Sequence, residues 1–167
     1  CSDNYYMQMA QNIRRYKGSR PIPRHAGTRR MAVDGHFDDW KDVVSYYFDT
    51  RGDVWHRNHN GYAGRHYADT TGRNDIVEAK VAVGKHDIYF YALTDSALTS
   101  PTDPNWMLLF VDSDNDSSTG WHGYDFVVNR QVSGNRKTTL MRYDEAKADW
   151  VKTADIPYAV EGNELEL

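Results

Sequence analysis

Apolar and polar residues alternate cleanly from Ile76 to Val83. Val77, Ala79, Val81 and Val83 fall on one face, and Glu78 and Lys80 on the other. A period of two predicts a half-buried strand. Gly84-Lys85-His86 then turns the chain into Ile88 to Thr94. There Ile88, Phe90 and Ala92 oppose Tyr89, Tyr91 and Leu93, so both faces are apolar and the strand is expected to be central. Met107 to Val111 is also apolar on both faces. Tyr124 to Asn129, Thr138 to Tyr143 and Trp150 to Thr153 read as further strands, the middle one entered through Ser133-Gly134-Asn135. Tyr158 to Val160 and Glu164 to Leu167 flank Gly162-Asn163, a hairpin signal. With Leu165 and Leu167 inward, the last strand is expected to continue beyond Leu167, which makes residues 31–167 a truncated domain.

The N-terminal third follows other periods. Tyr6, Met9, Ala10, Ile13 and Tyr16 form one stripe at helical spacing. Ser2 or Asp3 caps the predicted helix, which runs to about Lys17; Arg14, Arg15 and Lys17 complement its dipole and Gly18 stops it. Residues 19–30 are polar and basic, broken by Pro21, Pro23 and Gly27, and read as a linker. No acidic residue lies between Arg14 and Arg30; a solvated connector explains this better than a nucleic-acid arm. The domain is expected to start at Met31 with a short strand, Met31 to Val33. Asp34-Gly35 is a tight turn, and Asp38-Asp39-Trp40 a turn anchored on a buried indole. Val43 to Phe48 is a second short strand, and Arg51 to Arg73 shows no strand period. Long loops in compact domains are often functional.

Many short strands with turn chemistry between them predict an all-β, antiparallel β-sandwich of jelly-roll type, preceded by the helix and basic linker of residues 1–30. A chain of 167 residues is most simply one such domain. Twelve Tyr, five Trp and five Phe suit strands, and also a surface on which sugars stack. A net charge of -4 gives no general attraction to nucleic acid. No apolar run approaches the roughly 20 residues of a membrane span. Cys1 is the one cysteine, so no internal disulfide forms. It fits the lipid-bearing first residue of a mature bacterial lipoprotein, or the start of a fragment, and the second is preferred.

The segment Trp106 to Arg130, WMLLFVDSDNDSSTGWHGYDFVVNR, carries the most chemistry. Asp112, Asp114 and Asp116 stand at alternate positions on a loop between two strands, and Asp125 lies on the returning strand. Short carboxylates on a tight loop supply the oxygens a hard cation requires, and they repel one another when nothing neutralises them. Calcium is preferred over magnesium, because it accepts an all-protein oxygen site. The loop is not an EF-hand, because Ser117 and Gly123 replace the glycine and glutamate that motif needs. A solvated acidic hairpin is the alternative. Trp121 beside this loop is a ring to offer a pyranose, with Asn129 and Arg130 to reach its hydroxyls. Tyr124 reads as core with Phe126 and Val128. Trp55 and Trp106 are further candidate stacking rings. His56 and His59 lack the rigid spacing and the cysteines of a zinc site. No nucleophile elbow, phosphate-cradling glycine loop or cysteine–histidine pair supports catalysis, and Glu78 beside Lys80 reads as an ion pair.

Three pieces in order carry a resemblance: VDGHFDDW, DIVEAKVAVGKHDIYFYALTD and the Trp106 to Arg130 segment. Together they resemble the family nine-like carbohydrate-binding modules, related to the DOMON-like group, over about Met31 to Leu167. The stretch NYYMQMAQNIRRYKGSRPIP looks like the connector that follows a catalytic domain in such proteins. The resemblance implies a calcium-stabilised sandwich that binds polysaccharide or oligosaccharide. It also implies a secreted, periplasmic or cell-surface bacterial glycoside hydrolase whose catalytic domain lies on the same polypeptide, the module itself being non-catalytic. Two alternatives remain: a purely structural domain packed on the catalytic partner, and a DOMON-type sensor of haem or a small ligand, with Met107 and Met141 as the strand methionines able to serve haem.

Overall fold

The computed structural model describes residues 9–10, 12–13, 27–55, 57–60, 66–134 and 136–167. Its regular structure is almost wholly antiparallel β-sheet. The strands are β1 (Tyr46–Phe48), β2 (Arg57–Asn60), β3 (His66–Asp69), β4 (Ile76–Val83), β5 (Ile88–Thr94), β6 (Leu109–Val111), β7 (Phe126–Gly134), β8 (Lys137–Asp144), β9 (Asp149–Pro157), β10 (Ala159–Glu161) and β11 (Glu164–Glu166). They form a five-stranded sheet in the order β1-β4-β5-β11-β10, a four-stranded sheet in the order β6-β7-β8-β9, and a β2–β3 ribbon. Of the N-terminal helix expected up to Lys17, only Met9, Ala10, Asn12 and Ile13 are described, and these four are helical; the rest of that expected helix lies outside the described residues. Of the basic linker, only residues 27–30 are described.

Strand β5 is central, with β4 on one side and β11 on the other, as its two apolar faces predict. Successive side chains of a strand point to opposite faces, so β5 feeds two cores. Phe90 joins a cluster with Trp106, Val128, Leu140, Ile156, Leu165 and Leu167, residues that come from both large sheets. Tyr89, Tyr91 and Leu93 join the other cluster, with Met31, Trp40, Val43, Ala82 and Phe37. That second core is built by residues 31–43, which lie across one face of the five-stranded sheet.

The chemistry of this arm centres on Glu166. Its side chain is fully buried. One carboxylate oxygen accepts the backbone N–H of Asp34 and of Gly35, both at 2.8 Å, and the other accepts the Trp40 indole N–H at 2.9 Å. A buried carboxylate is tolerable when donors surround it, and three converge here. Asp34-Gly35 makes the expected tight turn, with Gly35 at φ 90°, a conformation that favours glycine. Phe37–Trp40 is a single 3-10 turn that delivers the indole inward, as expected. Met31 to Val33 is not a strand; Met31 is held by burial instead.

Three more expectations change. Glu78 and Lys80 do not form a solvent face on β4. They lie under the arm, 16% and 12% exposed, with the Lys80 ammonium 3.3 Å from Glu78 and donating to the Trp40 carbonyl at 3.2 Å. Their aliphatic stems cover the aromatic core while the heads pair, so charge alone misassigns the face. The stretch Arg51 to Arg73 is not wholly irregular, since it contains β2 and β3. Both faces of that ribbon are open to solvent, which leaves no hydrophobic period to read. Strand β7 runs on to Gly134 past a bulge between Val128 and Val132, where Asn129 adopts φ 65°. The bulge interrupts the alternation that would have revealed the strand's second half.

Candidate functional site

Leu109, Val128, Leu140 and Ile156 of the four-stranded sheet enter the cluster shared with the other sheet. Phe110, Val127 and Met141 are neighbours across the strands in register, and they lie on the opposite face. Val127 and Met141 are nonetheless buried, on the face that also carries a group of aromatic rings. Phe110 stacks on Trp121 with centroids 5.4 Å apart and planes at 26°, and meets Tyr124, also at 5.4 Å. Trp150 lies 6.0 Å from Phe110 and 6.2 Å from Trp121, and Tyr143 meets Trp150 edge-on at 5.2 Å. Trp121 and Tyr124 are each 40% exposed. Two open rings thus rest on a floor of half-buried ones.

A short reversal in the β6–β7 loop presents these two rings. Trp121 and Tyr124 exchange backbone hydrogen bonds at 2.8 and 3.1 Å around His122 and Gly123. Both central residues have positive φ, 54° and 95°, as a primed hairpin turn requires. Gly120 precedes it at φ 64°, and a Cβ there would sit 2.3 Å from the Tyr124 carbonyl oxygen. No other residue type fits that position without moving the backbone.

The acidic loop adjoins this reversal. One Asp112 oxygen accepts the N–H groups of Asn115 at 2.6 Å and Asp114 at 3.2 Å. Asp114 accepts the Asp116 N–H at 2.9 Å, and the Thr119 hydroxyl donates to it at 3.0 Å. Asp116 accepts the N–H and hydroxyl of Ser118. Asp125 accepts the N–H and hydroxyl of Ser113 at 2.8 and 2.6 Å. These bonds hold the Asp116 and Asp125 carboxyls below the usual carboxylate range, in each case through the serine hydroxyl first and its N–H second. Asp112, Asp116 and Asp125 thus each order the loop through one oxygen, and Asp114 through both. Among the described residues, the second oxygens of Asp112, Asp116 and Asp125 carry no hydrogen bond, and no Lys or Arg forms an ion pair with any of the four.

Asp112, Asp114 and Asp125 offer ligand atoms that all lie within 4.8 Å of one another. Oxygens on opposite sides of a calcium shell of radius roughly 2.3–2.6 Å stand about 5 Å apart, so the donor set fits a hard cation of that size. Asp116, the fourth expected ligand, is not part of this group. Its hydrogen-bonded oxygen is committed to Ser118.

The expected stacking rings separate. Trp121 is on the aromatic face. Trp106 is not available to a ligand: it is 1% exposed, its indole N–H donates to the Thr99 carbonyl at 2.9 Å, and Tyr158 meets it edge-on. Trp55 is 52% exposed and lies against Gly72, in the segment leading to the ribbon. His56 and Tyr62 lie outside the described residues. Asn129 is buried and donates its amide to the Met107 carbonyl at 2.8 Å, so it does not reach outward for a hydroxyl. Arg130 is exposed, with its guanidinium 3.7 Å from Asp149. Asn129 and Arg130 line a cleft of about 570 Å³ with loop residues 101–105, a cleft that Trp121 does not line. Tyr124, expected in the core, is an exposed ring of the aromatic face instead. Phe110, Tyr143 and Trp150 were not anticipated as its floor. The signal available for Phe110 was a strand apolar on both faces, which promises a covered outer side.

No protein-family model, no curated protein and no solved structure matches the chain. No helix among the described residues is long and apolar enough to cross a membrane.

Proposed function

We propose that the chain is a non-catalytic carbohydrate-binding module, a β-sandwich whose two large sheets close on the Phe90–Trp106–Val128–Leu165 cluster. Polysaccharide or oligosaccharide stacks on Trp121 and Tyr124. The observation that carries this reading is the aromatic face itself: two rings, each 40% exposed, seated on half-buried Phe110. An apolar ring face set among polar loop groups is what a pyranose needs, with C–H groups against the ring and hydroxyls against carboxylates and water. Asp112, Asp114 and Asp125 would hold a calcium ion. Bound there, it would supply positive charge to neutralise the loop. The chain's own part is to fix that loop, and with it the Trp121–Tyr124 reversal, through the aspartate-to-backbone hydrogen bonds. The motif resemblance extends the proposal to a secreted bacterial glycoside hydrolase with its catalytic domain on the same polypeptide. Titration of a broad glycan panel, with Trp121→Ala and Tyr124→Ala alongside, tests it. Loss of binding in variants that remain folded at the titration temperature supports the reading, and no binding to any glycan by the parent chain ends it.

A second reading, a small-ligand sensor of DOMON type, is favoured by a separate feature. A cleft of about 560 Å³ opens between the sheets, lined by Ile88, Phe90, Val111, Phe126, Leu140 and Ile156 among others. Its lining contains no His, Met or Cys, so an apolar organic ligand suits it better than haem. Met141 is buried on the opposite face of the four-stranded sheet, beside Val127, and Met107 does not line the cleft.

A further inference from the structure

Strand β1 forms one edge of the five-stranded sheet, beside β4. The Val81 N–H donates to the Ser45 carbonyl at 3.0 Å, and the Asp49 N–H to the Val77 carbonyl at 3.1 Å. Ser45 and Asp49 therefore turn their backbone groups toward β4, and Tyr47, midway between them and opposite Ala79, does the same. Tyr46 and Phe48 turn theirs outward. Among the described residues, nothing bonds to these two N–H groups and two carbonyls.

The side chains along this edge are apolar and open. Exposure runs from 48% at Val44 and 51% at Tyr46 to 63% at Tyr47 and 62% at Phe48. The Tyr46 and Phe48 rings share one face of the sheet, 4.8 Å apart, and Tyr47 points to the other face. Proteins ordinarily guard a strand edge with charge, proline or a bulge. Strand β9, an edge of the other large sheet, is guarded in this way by Asp149, Lys152, Asp155 and Pro157. Strand β1 carries none of these, and its ladder with β4 runs without a bulge.

The placing of the open groups selects a copy of the strand itself. Set two β1 strands antiparallel about a two-fold axis at Tyr47. Tyr46 of one copy then faces Phe48 of the other, and both are residues whose N–H and carbonyl point outward. Two reciprocal pairs of hydrogen bonds satisfy every open group on both strands. The two Tyr47 side chains meet at the non-hydrogen-bonded position, where cross-strand neighbours come closest. Asp49 falls opposite Ser45, so the register brings no two like charges together. The open surface of residues 44 and 46–48 on two copies is on the order of 1,000 Å², the low end for a specific interface.

We propose that β1 pairs with the β1 of a second copy, making a reversible dimer whose five-stranded sheets join into one. The interface uses none of the residues assigned to glycan or cation, and it stands or falls independently of them. The test is sedimentation velocity of the whole chain over a wide range of concentration, with Tyr46→Pro and Tyr47→Lys alongside. The Tyr46 N–H takes no part in the ladder to β4, so proline there removes an intermolecular donor and spares the sheet. Lysine at position 47 sets two like charges against each other on the axis. The expected result is a monomer–dimer equilibrium whose dissociation constant rises at least tenfold in each variant. Crosslinking supplies a second measurement. Cα atoms of a non-hydrogen-bonded pair stand about 4.5 Å apart, within the span of a disulfide. In a Cys1→Ser background, Tyr47→Cys should oxidise to a covalent dimer at least tenfold faster than Val151→Cys, which is exposed on the other sheet. A chain that stays monomeric at every concentration, assembly that passes beyond the dimer, affinity unchanged in both edge variants, or equally fast crosslinking by Val151→Cys overturns the proposal. If either edge variant does not fold, the crosslinking comparison still decides.

Discussion

Glu166 shows how much one side chain can organise. It joins the last strand to the arm that opens the described domain, through three N–H donors at 2.8 to 2.9 Å. In Glu166→Gln an amide N–H2 must face one of these donors, leaving a buried group unsatisfied. The expected loss is about 2–4 kcal/mol. For a chain of this size that lowers the melting temperature by roughly 5–15 °C, read by calorimetry. Trp106→Ala, which removes a fully buried indole, is expected to cost about 3–5 kcal/mol. Trp121→Ala, which removes a ring 40% exposed but packed on Phe110 and Trp150, is expected to cost less, about 1–2 kcal/mol. The sequence names Trp106, Trp121 and Trp55 alike, because ring identity says nothing about which face of a strand or loop is covered. Position does: Trp106 just precedes a strand apolar on both faces, whereas Trp121 follows an acidic loop and precedes a glycine turn. Glu166 was equally hidden, since a lone glutamate between two leucines reads as the solvent face of a strand, and only the returning arm makes that face interior.

At the scale of elements, the strands were legible where one periodicity held throughout. Strands β4, β5, β8, β10 and β11 lie within a residue or two of their expected bounds. Reading failed where a local device broke the period: the bulge at Asn129, the two-sided exposure of the ribbon, and the lysine and glutamate stems on β4. The acidic loop is the element whose candidate chemistry came through best, for Asp112, Asp114 and Asp125 converge as their spacing predicts while Asp116 turns to Ser118. With a cation bound to the native loop only, chelation by EDTA should lower the melting temperature, and excess calcium should restore it. An unchanged melting curve would remove the cation from the account. Acid should act on the same element. The folded pKa values of Asp116 and Asp125 lie below the ordinary aspartate value. Their stabilising contribution is therefore complete above the unfolded value and is lost as pH falls through the lower folded values. A fall in stability at pH below about 4, made smaller but not removed in Ser113→Ala combined with Ser118→Ala, is expected in pH-dependent melting, since Asp38, Asp69, Asp144 and Asp155 are held low as well.

Over the whole molecule, two sheets share one core, and each carries a second cluster on its other side. The arm of residues 31–43 covers one of these outer faces, and Trp121, Tyr124 and their neighbours cover the other. The all-β, antiparallel class was legible from period and turn chemistry alone. The placement of binding groups was not, because it depends on which strands become neighbours: Phe110 is far along the chain from Trp150, and the two meet only through β6, β7, β8 and β9. This division assigns fold-holding to the inner rings and recognition to the outer ones. The most direct test is glycan affinity of the parent chain and of the Trp121→Ala/Tyr124→Ala double variant, measured by calorimetric titration alongside their melting temperatures. The prediction is saturable binding to at least one polysaccharide or oligosaccharide, weakened at least tenfold in the double variant at a temperature where both proteins are fully folded. Undiminished affinity in the double variant, or no binding by the parent chain across the panel, would contradict it.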